Sequence, residues 1–120
     1  MTRPVLAESE YRFMELVWDH EPVSSGTLVE LCLEAFQWKK STTYTVIKRL
    51  AAKGFLQNEK STVTALVSRE EVQANASELF VEQTFGGSLP AFLVSFLGGK
   101  TLSEREVKEL NELIEQHKEE

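Results

Sequence analysis

Apolar side chains recur along the first half of the chain at intervals of three and four. Between Glu8 and His20, the residues Tyr11, Met14, Val17 and Trp18 stand at offsets 0, 3, 6 and 7, with Phe13 and Leu16 widening the stripe. That spacing predicts a helix with one buried face. Glu21-Pro22-Val23-Ser24-Ser25-Gly26 breaks the pattern, and Ser24 or Ser25 is placed to cap a short second helix that turns Leu28, Leu31 and Cys32 inward. A third helix is expected to start near Lys39 to Ser41, burying Thr43, Val46, Ile47 and Leu50, and to stop at Gly54. The period then changes. Phe55–Glu59 and Val63–Val67 predict two short strands around the polar turn Lys60-Ser61-Thr62. Ser68-Arg69-Glu70-Glu71 has the form of a capping box and opens a helix to about Phe85, which Gly86-Gly87 ends. Leu89–Leu97 forms a short apolar segment with Pro90 at a tolerated early position. A last helix begins with a second capping box, Ser103 to Glu106, and carries Val107, Leu110, Leu113 and Ile114 on one side.

Three helices followed by a two-stranded hairpin is the order of a winged helix, in which the third helix enters the DNA major groove and the hairpin lies along the backbone. The expected fold class is mainly α with a small β-hairpin: a winged helix-turn-helix over residues 1–68, followed by a helical dimerisation region over residues 69–120. With Thr43, Val46, Ile47 and Leu50 inward, the opposite face of the third helix presents Lys40, Ser41, Tyr44, Thr45 and Lys48, with Thr42 and Arg49 toward its edges. Lysine and arginine neutralise phosphates, while hydroxyls anchor on phosphates or touch base edges and thymine methyls.

Charge sharpens this reading. A formal net charge of -6 over 120 residues, taken alone, argues against a nucleic-acid partner. Residues 1–67, however, carry eight basic and eight acidic side chains, against five and eleven in residues 68–120. Residues 39–60 concentrate six basic groups against the single acid Glu59. The local excess falls on the third helix and the hairpin.

The C-terminal part poses a different problem. Leu79, Phe80, Phe92, Leu93, Phe96, Leu110, Leu113 and Ile114 are among more apolar side chains than a segment of this size buries alone. A second copy of the chain is the expected cover, and a two-fold protein suits a pseudo-palindromic DNA site. The chain has no run of apolar residues long enough for a membrane span, and its N-terminus meets acidic residues before any signal-like stretch. It is expected in the cytoplasm, away from the membrane. The single cysteine, Cys32, is expected as a small core residue, and no cofactor or metal is expected. His20 and His117 stand alone at the ends of predicted helices, where surface positions are expected. A Gly-rich phosphate loop, a His-Glu-x-x-His motif and a nucleophile elbow are all missing from the sequence, so no enzyme is expected.

Two stretches resemble the penicillinase-repressor (BlaI, MecI and CopY) family of winged-helix transcriptional repressors, and the likeness covers nearly the whole chain. Leu6–Trp18 is similar to the family's opening helix, L-[ST]-x-x-E-W-x-V-M-x-x-x-W. Trp38–Leu56 resembles its more specific recognition-helix signature, W-x-x-x-T-x-x-T-[VL]-x-x-R-L-x-x-K-G-[FY]-[IL]. The resemblance implies a homodimeric repressor that binds a pseudo-palindromic operator and controls a β-lactamase or related resistance or stress operon. Its DNA contacts would fall on Ser41, Thr42, Tyr44, Thr45, Lys48 and Arg49, with Lys40 beside them and Lys60 in the wing. Departures from the pattern carry their own expectations. Lys39 and Lys40 replace a capping Ser and a Pro, so the third helix is expected to begin at Ser41, and Tyr44 replaces a common Arg. The wing is shorter than usual, with Val63 and Thr64 at aromatic positions of its return strand. In antibiotic-responsive members a sensor-linked protease cuts an Asn-Phe bond, and Ser95-Phe96 occupies the similar place here. The Cys-x-Cys motifs of copper-responsive members are missing, which disfavours copper sensing by that route. The alternative is a winged-helix protein-interaction module without specific DNA binding.

Overall fold

A computed structural model describes residues 5–119, and the chain divides into two compact units, Met1–Leu79 and Phe80–Glu120. In the first unit, α1 spans Glu8–His20, β1 Val23–Ser24, α2 Ser25–Phe36, α3 Lys40–Ala52, β2 Leu56–Glu59 and β3 Thr62–Ala65. The fourth helix, α4 (Arg69–Phe85), starts in this unit and ends in the second, where α5 (Leu89–Leu97) and α6 (Glu104–Gln116) follow. The architecture is the expected winged helix followed by helices.

Local chemistry sets most of the ends. Ser24 caps α2 by accepting the Thr27 N–H at 3.0 Å, and Gln37 closes that helix in the left-handed region at φ 58°. α3 begins at Lys40, one residue before the expected Ser41, with Lys39 as an N-cap whose side chain makes no capping bond. An extended backbone at Lys39 is enough, because Thr43 N–H still reaches the Lys39 carbonyl at 3.2 Å. Gly54, at φ 85°, then reverses the chain into β2.

The sheet has one strand more than the expected hairpin. Its order is β1-β3-β2, all antiparallel, with Leu56 opposite Ala65, Glu59 opposite Thr62, and Val23 opposite Val63. β1 is too short to show an alternating pattern, so only its pairing partner reveals it. The carboxylate of Glu21 carries the ladder a step further by accepting the Ala65 N–H at 2.9 Å. The expected turn of Lys60 to Thr62 is tighter than foreseen: Lys60 and Ser61 alone form it, at φ 51° and 64°, and Thr62 already pairs. Ser25 N–H donates to the Ser61 carbonyl at 2.8 Å, which ties the wing tip to the start of α2.

The core of the first unit joins Phe13, Met14 and Val17 of α1, Leu28 and Cys32 of α2, Val46, Ile47 and Leu50 of α3, and Phe55, Leu56 and Val63 of the wing. Tyr11 and Trp18, expected on the buried stripe of α1, sit half-buried at its edge; Glu10 takes a place on the stripe instead. Trp18 Nε1 donates to the Val67 carbonyl at 2.9 Å, and Arg69 lies over its ring while bonding Asp19 at 2.7 Å. With Val72 buried in the same core, these contacts hold the first turns of α4 to the winged helix. The compact units part inside α4, at Leu79 and Phe80. Among the described residues no helix is long and apolar enough to cross a membrane.

Candidate nucleic-acid interface

The buried row of α3, Thr43, Val46, Ile47 and Leu50, fixes the rotation of the helix about its axis. Residues at three- and four-residue spacing on the other side form an exposed ridge of Ser41, Tyr44, Thr45 and Lys48. Lys40 flanks the ridge on one side, and Thr42 and Arg49 flank it on the other, all exposed. Lys60 stands exposed at the wing turn. The predicted contact residues other than Lys60 thus share one helix surface. The Lys40 ammonium lies 6.0 Å from the centre of the Tyr44 ring, at the outer limit of a cation–π contact. Thr45 Oγ1 donates to the Ser41 carbonyl at 2.9 Å, a bond within the helix.

Arg49 differs from the others because it already has a partner. Its Nε donates to Glu10 Oε2 at 2.9 Å, and Lys53 Nζ reaches the same oxygen at 3.3 Å. Glu10 Oε1 accepts the Ala7 N–H at 2.9 Å, so the carboxylate closes the N-terminus of α1 and grips the end of α3 together. Burial pushes the Glu10 carboxyl pKa up, but hydrogen bonds from Ala7, Arg49 and Lys53 and the Lys53 charge outweigh it and leave the pKa below the ordinary carboxylate value. Sequence reasoning missed Glu10. The available signal was its spacing, which sets a carboxylate in register with Phe13, Met14 and Val17.

The remaining candidates fall elsewhere. Burial raises the Cys32 thiol pKa, against an opposing contact from the Thr43 hydroxyl, so the thiol is a packed core group. His20 and His117 are exposed, and each Nδ1 meets the carbonyl four residues earlier at 2.8 Å. Among the described residues no group of three His, Cys, Asp or Glu side chains is placed to hold a metal. In the second unit Phe80, Phe85, Phe92 and Phe96 form a chain of ring contacts with centroids 5.6 to 6.2 Å apart. Leu79, Phe92 and Leu93 are half-buried, whereas Phe80, Phe96, Leu110, Leu113 and Ile114 are exposed. Ser95 and Phe96 lie in the last turn of α5, both exposed, and Lys100 Nζ donates to the Phe96 carbonyl at 2.8 Å.

A helix-turn-helix with a short wing, presenting lysines and hydroxyls on its third helix, defines a DNA-binding protein of the winged-helix class. Residues 6–116 match the family model described as Penicillinase repressor, and the chain belongs to that family, one of transcriptional repressors with no enzymatic role. It is 24% identical over 119 residues to the penicillinase repressor of Bacillus licheniformis, covering 96% of this chain and 93% of that one. It is likewise 24% identical over 113 residues to the methicillin resistance regulatory protein MecI of Staphylococcus aureus, covering 91% and 92%. Among solved structures, the monomeric form of Bacillus licheniformis BlaI in complex with the blaP half-operator superposes with a TM-score of 0.51 at 20% identity, covering 58% of this chain and 90% of that one.

Proposed function

We propose that this repressor binds a pseudo-palindromic operator as a homodimer, with α3 in the major groove and Lys60 of the wing against the backbone. The observation that carries the reading is the exposed ridge of α3, where Ser41, Tyr44, Thr45 and Lys48 stand together within the most basic stretch of an acidic chain. Lys40, Thr42 and Arg49 extend the contact at its flanks. It acts in the cytoplasm on a β-lactamase or related resistance or stress operon, as the relatives' names suggest.

A homodimer through residues 69–120 is supported by the second unit's lack of any buried side chain among its described residues. Val107, Leu110, Leu113 and Ile114 run along one side of α6 and are 40 to 63% exposed. A second copy that presents the same stripe covers both. Relief of repression by a sensor-linked protease at Ser95-Phe96 belongs to the same proposal. The bond sits in a helix, so α5 must unwind before a protease can hold it extended.

The test is fluorescence anisotropy on a fragment from upstream of the gene, titrated from low to physiological salt against unrelated competitor DNA. Specific binding that survives physiological salt is the expected result. Lys48→Ala should weaken it and lower the slope of log affinity against log salt by about 2, one phosphate contact being lost in each half-site. Complete loss to competitor leaves only non-specific attraction and removes the reading.

A further inference from the structure

We infer that the centre of the α3 ridge recognises the 5-methyl group of thymine, through the ring of Tyr44 and the methyl of Thr45. The inference rests on the proposed operator binding and names the base feature that this binding reads.

Bidentate reading of base edges falls to Arg or Lys for guanine and to Asn or Gln for adenine, and cytosine's amino group is read by Asp or Glu. Ser41, Tyr44, Thr45 and Lys48 include none of these except Lys48, at the C-terminal end of the ridge. The nearest arginine, Arg49, lies to one side with its Nε held by the buried Glu10 carboxylate. Thr45 has spent its hydroxyl proton on the Ser41 carbonyl at 2.9 Å, so its hydroxyl has no proton left to donate to a base and can only accept, while its methyl is free for an apolar contact. Tyr44 is 38% exposed at mid-helix, and the part of its ring left open to solvent is apolar surface beside the Lys40 ammonium, which lies 6.0 Å from the ring centre. The result is an apolar centre between Lys40 and Lys48, two cations suited to the phosphates on either side. The one apolar group that a base pair offers in the major groove is the thymine methyl.

The experiment begins with a randomised duplex pool selected on the full-length protein, and the selected duplex is resynthesised with deoxyuridine in place of thymine, one position at a time. Removing a contacted methyl should weaken wild-type binding about fourfold, at one or two positions in each half-site. Tyr44→Ala and Thr45→Ser should bind the thymine and deoxyuridine duplexes alike, and Thr45→Ser keeps the helix bond while deleting only the methyl. Lys48→Ala should lower affinity for both duplexes equally and keep the discrimination. The inference is overturned if no deoxyuridine position weakens wild-type binding, or if both variants keep the full preference. Selection that enriches no sequence at all removes the operator-binding reading and this inference with it, which separates the two failures.

Discussion

Glu10 shows how much one side chain can organise. Its carboxylate is 4% exposed, yet it stays charged because an amide and two cations meet it. A fold that lowers a carboxyl pKa gains stability above the unfolded value, about 4.3, and loses it as pH falls through the folded one. Glu10→Gln should therefore cost about 1 to 2 kcal/mol at neutral pH, with solvent screening at the half-exposed Arg49 keeping it from being larger. Urea denaturation of both proteins across pH should show the gap closing below about pH 4.3. Thr43 offers the opposite case. Its hydroxyl is fully buried with no conventional hydrogen-bond partner, facing only the weak Cys32 thiol. Thr43→Val removes that hydroxyl at nearly constant shape and should raise stability by about 1 kcal/mol, read as a higher urea midpoint at unchanged m-value. Thr43 was legible in the sequence as a core position, whereas Glu10 was not singled out, because the cations that meet it come from the far end of α3.

Helices were legible because their signals repeat within a turn. The spacing of Thr43, Val46, Ile47 and Leu50 oriented α3, Ser68 and Ser103 marked starts that the hydrogen bonds bear out, and of the two candidates Ser24 and Ser25 it is Ser24 that caps α2. The sheet was less legible. β1 has two residues, and its identity as a strand depends on where Val63 and Thr62 arrive. The wing turn is held where Lys60 and Ser61 both take a positive φ, a region that costs an L-residue roughly 1 kcal/mol. Ser61→Gly should relieve most of that strain, raising stability by about 0.5 kcal/mol after the added chain entropy. Its carbonyl bond to Ser25 N–H survives the change, so operator affinity should stay constant while the thermal midpoint rises.

Two units of unlike character share the chain. The first buries a core across α1, α2, α3 and the sheet; the second, among its described residues, has aromatic contacts and no buried side chain. If a second copy completes it, Leu110→Asp with Leu113→Asp should shift sedimentation equilibrium from dimer to monomer, and operator affinity should fall as the paired contacts are lost. The winged helix should keep its own unfolding transition, since none of its core residues is changed. The apolar excess that predicts this dimer could be read directly from composition along the chain. So could the helices, their caps, the basic third helix and the family signature, because each depends on residues a few positions apart or on simple local density. The third strand, the place where the units part within α4, and the capture of Arg49 by Glu10 depended on folding. They join groups tens of residues apart, and no local period records which distant carboxylate, carbonyl or strand the folded chain will bring alongside.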